Sequence, residues 1–214
     1  MRYIGLIDDR ERTRTSLRNA ILLPFLTDGN KEWDVIDIEP LSSKADYQSW
    51  VLENEISVLI IDEKLNESSV VDYLGHDVVI LLRAVYPELP IFCITAAKRD
   101  DDLNENYKNY NFILSKSDFE KNTNEWVNLF VKSGSDFYDK YSSKKDRLSE
   151  LAAIVSSSDG EVSPEIKEEM NKIQEFLSIT HNVDTVSTEA WLREFSAEIK
   201  EFDELLIKIE SNLK

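Results

Sequence analysis

The chain has 214 residues, 42% of them apolar and 31% charged, enough to bury a core in one large domain or two small ones. Its 25 Lys+Arg against 42 Asp+Glu leave a net charge of −17, which repels nucleic acid and anionic lipid and argues against both as partners. A single cysteine, Cys93, excludes an internal disulfide and a cysteine-rich metal site. The apolar stretch Ala20–Leu26 contains Pro24 and is far short of the roughly 20 residues that a membrane span needs. With no signal peptide at the N-terminus, these features point to the cytoplasm.

Short apolar runs fall at Tyr3–Ile7, Trp33–Ile38, Ser57–Ile61, Pro90–Thr95 and Asn111–Leu114. Several are apolar at consecutive positions, as in Val58-Leu59-Ile60-Ile61, the pattern of strands covered on both faces. Between them the pattern predicts helices over 10–26, 43–54, 70–86, 100–109 and 118–132. Such alternation implies βα units with right-handed crossovers, and therefore a five-stranded parallel sheet with helices on both faces. Ser117 followed by Glu120 predicts a capping box for the fifth helix. Tyr86-Pro87 ends the third.

Beyond Lys132 the strand-like runs stop. Ser133-Gly134-Ser135 suggests a hinge, and apolar residues then recur at spacings of three and four. Phe137, Tyr141, Leu148, Leu151 and Val155 share one register, and Ile166, Met170, Ile173 and Leu177 share another. Leu192, Phe195, Ile199, Phe202, Leu206, Ile209 and Leu213 form an a/d seam. Ser163-Pro164 predicts an N-cap followed by proline at the first helical position. The expected organisation is an α/β domain over 1–132 and an all-α module over 136–214, packed as a three-helix bundle or as a coiled coil with a second copy. Residues 134–214 hold 10 Lys+Arg and 18 Asp+Glu, a balance of 10 − 18 = −8, and offer no basic recognition surface. They carry no nucleotide loop or catalytic triad either, so an interaction module is expected rather than an enzyme.

In an open parallel sheet, ligands bind beyond the carboxyl ends of the strands. The polar residues there are Asp8 and Asp9 after the first strand, Asp62 after the third, Thr95 at the end of the fourth and Lys116 after the fifth. Three convergent carboxylates suit Mg²⁺. With the metal neutralising an incoming phosphoryl group, a carboxylate such as Asp62 can attack phosphorus, while Lys116 and Thr95 hold phosphoryl oxygens.

This set resembles the receiver domain of two-component response regulators, a flavodoxin-like fold, over about 1–132. The match lies in Leu6-Ile7-Asp8-Asp9, Val58-Leu59-Ile60-Ile61-Asp62, Ile94-Thr95-Ala96 and Ile113-Leu114-Ser115-Lys116. The resemblance implies that Asp62 is the phosphoacceptor and that Asp9 and Asp62 ligate Mg²⁺ directly. It further implies that Asp8 acts through water and that the backbone carbonyl of Lys64 completes the metal site. It implies a histidine kinase or phosphotransfer protein as phosphodonor. The output would be an unidentified protein partner, with a homodimer through the helical seam as an alternative.

The chain departs from the family pattern in four places. Ser117 stands where proline is usual after the lysine, and Ile113 where an aromatic switch residue is usual. The stretch from Asp9 to Asp62 is long, and Glu63-Lys64-Leu65-Asn66 replaces a Met-Pro turn. A pseudo-receiver acting as a phosphorylation-independent scaffold is the competing reading. An aspartyl-phosphate phosphatase is a third, which requires a second acid near Asp62. His76 and His181 have no partner His or Cys at metal spacing and read as structural or exposed, and Cys93, within an apolar run, reads as an inert core thiol.

Overall fold

The computed structural model describes residues 1–96, 107–157 and 163–181. The chain divides into two compact units, meeting at Lys140 and Tyr141. In the first, strands β1 (Arg2–Ile7), β2 (Trp33–Ile38), β3 (Ile56–Ile61), β4 (Ile91–Thr95) and β5 (Phe112–Ser115) form one parallel sheet. Its order is β2-β1-β3-β4-β5, the doubly wound flavodoxin-like arrangement. Helices α1 (Glu11–Asp28), α2 (Asp46–Glu53) and α3 (Gly75–Val85) follow β1, β2 and β3; a short 3₁₀ turn at Tyr107–Asn109 precedes β5, and α4 (Lys116–Lys121) and α5 (Thr123–Ser157) both follow it. The expected segment 100–109 lies mostly outside the described residues.

The consecutive apolar positions resolve into two cores. On one face Ile7, Leu59, Ile61, Ile91 and Cys93 meet Tyr47 and Val51 of α2 and Val78, Val79 and Leu82 of α3. On the other, Ile4, Leu6, Val58, Ile60, Phe92 and Ile94 meet Leu17, Ile21 and Phe25 of α1, Phe119 of α4, and Val127 and Phe130 of α5. A strand with both faces covered needs an apolar residue at every position, and β3 is buried throughout.

Several local readings change. The helix expected over 118–132 divides at Asn122 into α4 and α5, and α4 is capped by Ser115, not Ser117: the Asp118 N–H donates to Ser115 Oγ at 3.0 Å, and Ser117 Oγ sits 2.9 Å from the same hydroxyl. Helix α4 therefore starts at Lys116 itself. The hinge expected at Ser133–Ser135 is instead continuous helix within the 35-residue α5. There Gly134 permits close packing: a Cβ on it would meet Trp33 Cη2 and Val58 Cγ2, each at 2.5 Å. Arg2 adds bonds to Ser135 Oγ at 3.0 Å and to Asp139 Oδ1 at 2.9 Å, so this stretch of α5 belongs to the first unit. Phe137 accordingly packs with the α2/α3 core and not with the helical seam to which the spacing assigned it.

In the second unit, the rest of α5 and α6 (Pro164–His181) pack through Leu151, Val155, Met170 and Ile173, flanked by Leu148, Ile166 and Leu177, as the spacing predicts. Ser163 caps α6, with Ile166 N–H 3.4 Å from its Oγ and Pro164 at the first helical position. Arg147 clasps Glu169 through two bonds of 2.8 and 3.0 Å. His181, placed by the sequence in a polar break, is the last residue of α6. The seam Leu192–Leu213 lies outside the described residues. Among the described residues no helix is long and apolar enough to cross a membrane.

Candidate functional site

The reversal of strand order falls between β1 and β3, and the three aspartates stand at the carboxyl ends of these two strands. Register sets their positions: Ile7 pairs with Ile61, so Asp8 and Asp62 leave the sheet side by side, and the Asp62 N–H donates to Ile7 O at 2.9 Å. One oxygen from each of Asp8, Asp9 and Asp62 lies within 4.8 Å of the others, and all three residues are buried. Lys116, carried in from the start of α4, donates from Nζ to Asp8 Oδ2 and to Asp62 Oδ2, both at 2.9 Å. Thr95 is buried at the end of β4, in register with Ser115, the residue before Lys116. Four of the expected side chains are thus in one cluster and the fifth ends the adjoining strand.

The hydrogen bonds satisfy these carboxylates only in part. Asp8 Oδ1 accepts from the Arg10 N–H at 2.9 Å, and Asp9 Oδ2 from the Ser68 N–H at 2.6 Å. Asp9 Oδ1 and Asp62 Oδ1 are buried without any hydrogen-bond partner. Such groups cost free energy unless something satisfies them. Three carboxylates and one ammonium sum to −3 + 1 = −2, the complement of a divalent cation. Two unpartnered carboxylate oxygens in a cluster of three aspartates are oxygen donors of the kind a hard cation takes, with water completing its shell. The residues present therefore fit Mg²⁺.

The electrostatics agree. Burial pushes the Asp8 carboxyl up, the nearby Asp62 charge adds to this, and the bonds from Lys116 and Arg10 only partly offset it. For Lys116, burial disfavours the ammonium, but the Asp62 and Asp8 carboxylates more than offset that penalty, so its pKa is raised. The lysine is held charged against the carboxylates.

Several participants carry no sequence signal, because they lie far apart along the chain. Glu63, buried beside Asp62, takes His76 Nδ1 on Oε1 and the Tyr110 hydroxyl on Oε2, the latter at 2.6 Å. His76 is thus not isolated, although its partner is a carboxylate and not a metal. The segment after β3 reaches back over the aspartates: Arg10 pairs with Glu67 next to the Ser68–Asp9 bond. The departures at 63–66 and the late start of α3, at Gly75 instead of near residue 70, belong to this segment. Cys93 is fully buried, and burial pushes its thiol up, in keeping with a structural role.

The solved structures similar to this chain include receiver domains. The signal receiver domain of an HD domain-containing protein from Pseudomonas fluorescens Pf-5 matches with a TM-score of 0.48 and 14% identity, over 63% of this chain and 97% of that one. The N-terminal receiver domain of a two-component response regulator from Bacteroides fragilis matches with a TM-score of 0.45 and 18% identity, over 63% and 98%. The receiver domain of the Francisella response regulator 1452 matches at 0.45 and 17%, over 61% and 96%. No protein-family model and no curated protein matches the sequence.

Proposed function

We propose that the chain is a response regulator that accepts a phosphoryl group on Asp62. The observation that carries this reading is the pair of unpartnered, buried oxygens, Asp9 Oδ1 and Asp62 Oδ1, beside a lysine that spans Asp8 and Asp62 at the switch point of the sheet. Asp9, Asp62 and the Lys64 carbonyl would hold Mg²⁺, with Asp8 acting through water. The ion would supply charge neutralisation for the anionic phosphodonor. A carboxylate oxygen of Asp62 attacks phosphorus. The bond from phosphorus to the donor's leaving group breaks, and that group departs with the electron pair and takes up a proton. Lys116 exchanges its Asp62 bond for a phosphoryl oxygen, and the Thr95 hydroxyl donates to another. The donor is a histidine kinase or phosphotransfer protein in the cytoplasm.

The helical stretch proposed over 136–214, whose first residues up to Lys140 belong to the first unit, serves output by protein contact, with an unidentified partner or a second copy. Its balance of −8 disfavours DNA. A phosphatase would need a free second acid. Glu63 adjoins Asp62, but both its oxygens are engaged. The scaffold reading draws on one observation, the Ser68 N–H that occupies Asp9 Oδ2.

Acetyl phosphate with Mg²⁺, followed by intact-mass measurement, separates these readings. Wild type gains one phosphate and Asp62→Asn gains none, since the amide is not a nucleophile and removes a charge from the metal site. Equal labelling of the two proteins would refute Asp62 as acceptor, and an unlabelled wild type would favour the scaffold.

A further inference from the structure

We infer that Glu63 is a positioning residue for Asp62, clamped by His76 and Tyr110. The inference rests on the reading of Asp62 as phosphoacceptor. Asp62 has little of its own to aim it: Oδ2 is held by Lys116, and Oδ1 has no partner. Its direction depends on the backbone to either side. On the N-terminal side the Asp62 N–H is tied to Ile7 O in the ladder. On the C-terminal side the next residue is Glu63, and Glu63 is fixed at three points. Its Oε1 meets His76 Nδ1 in the first turn of α3, and its Oε2 accepts the Tyr110 hydroxyl at 2.6 Å. Its backbone oxygen accepts the Gly75 N–H at 2.8 Å.

The contact is tight. A Cβ at Gly75 would stand 2.3 Å from Asp62 O and 3.1 Å from Glu63 Cα, so the start of α3 presses directly on the backbone between Asp62 and Glu63. A carboxylate 4% exposed is a costly way to fill space. An apolar side chain would pack there without needing two polar partners. What the carboxylate adds is direction, because each oxygen accepts along a defined line from a different element. Tyr110 is suited to donate: burial, together with the nearby Cys93 and Glu63, pushes its phenol up, so it keeps its proton. The clamp thus joins α3 and the segment preceding β5 at the residue next to the reacting carboxylate.

The test uses the full chain, acetyl phosphate and saturating Mg²⁺, with labelling rate and thermal midpoint read in parallel. Glu63→Leu is expected to lower the rate per folded molecule by about tenfold or more, as misplacement of a reacting group does. Glu63→Gln, which can still accept the Tyr110 hydroxyl, should recover most of the rate. Tyr110→Phe should slow labelling by a smaller factor, and combining it with Glu63→Leu should slow it no further. A lowered midpoint with an unchanged rate in Glu63→Leu overturns the positioning role, leaving Asp62 as acceptor. If Glu63→Leu does not fold, Tyr110→Phe decides alone, and an unchanged rate there overturns it. A wild type that takes no phosphate overturns both readings.

Discussion

Lys116 Nζ lies 2.9 Å from Asp62 Oδ2, a contact across 54 positions of sequence, and the same ammonium reaches Asp8 Oδ2 at 2.9 Å. It is the cation that lets two buried carboxylates stand together. Lys116→Met keeps much of the stem and removes the charge. Loss of one partner from a buried pair costs about 3–5 kcal/mol. Lys116 is about one-fifth exposed, so screening reduces this to about 1–3 kcal/mol at pH 7. Urea denaturation in metal-free buffer should show that loss, and Mg²⁺ should restore more stability to the variant than to wild type. The Lys116 pKa is raised in the folded state, so its contribution is full below the unfolded value and fades as pH climbs through the raised one. A variant as stable as wild type would show that the ammonium compensates nothing.

Asp8 gives a dependence of the same sign in a lower pH window. Its carboxyl is raised, chiefly by burial, so between the unfolded and folded values the native state holds more protons than the unfolded chain. Stability therefore falls as pH rises through that window, and above it Asp8 is a net cost. Asp8→Asn should be more stable than wild type at neutral pH in metal-free buffer. The gain should shrink towards zero on acidification below the usual carboxylate range. Stability curves of both proteins from acid to neutral pH would test this, and a variant less stable than wild type at pH 7 would contradict it.

The positions of Asp8, Asp9, Asp62, Thr95 and Lys116 were legible in the sequence because a strand buried on both faces must end where polar residues begin. In a parallel sheet those ends share one rim. Ser115 was harder to separate from Ser117, since both precede an acidic residue at capping distance and only the backbone turn selects between them. The Glu63 clamp was illegible: His76 and Tyr110 stand 13 and 47 positions away, and no spacing rule links them. The stretch at 133–135 misled because small residues serve equally as a flexible joint and as a close helix–sheet contact. Sequence alone does not show what faces them.

The helical unit offers a simpler case. Met170 is fully buried among Leu151, Val155 and Ile173. Met170→Ala removes most of that side chain and leaves a cavity, which typically costs about 2–5 kcal/mol. Thermal unfolding followed by helical circular dichroism should show the loss. Lys172→Ala breaks only the exposed pair with Glu168 and should leave the transition in place. Equal effects from the two would mean that the Met170 contact does not stabilise the unit.

Gly134 sets two physical effects against each other. By intrinsic propensity, glycine inside a helix is worse than alanine by about 1 kcal/mol, and α5 surrounds Gly134 with helix on both sides. A flexible joint at 133–135 would push the same way, since alanine would reduce the freedom of the unfolded chain. Packing points in the other direction. The added Cβ would lie 2.5 Å from Trp33 Cη2 and 2.5 Å from Val58 Cγ2. Neither neighbour yields easily: Val58 sits fully buried in β3, and the Trp33 ring is buried at the start of β2 with the Arg2 guanidinium 5.9 Å from its centroid. Forcing a methyl group into such a contact costs about 1–3 kcal/mol. Gly134→Ala should therefore destabilise the first unit despite its better helix propensity. Urea denaturation followed by tryptophan fluorescence should show a lower midpoint with an unchanged slope. A higher midpoint would mean that α5 stands off the sheet at this position and that the joint suggested by the sequence is real.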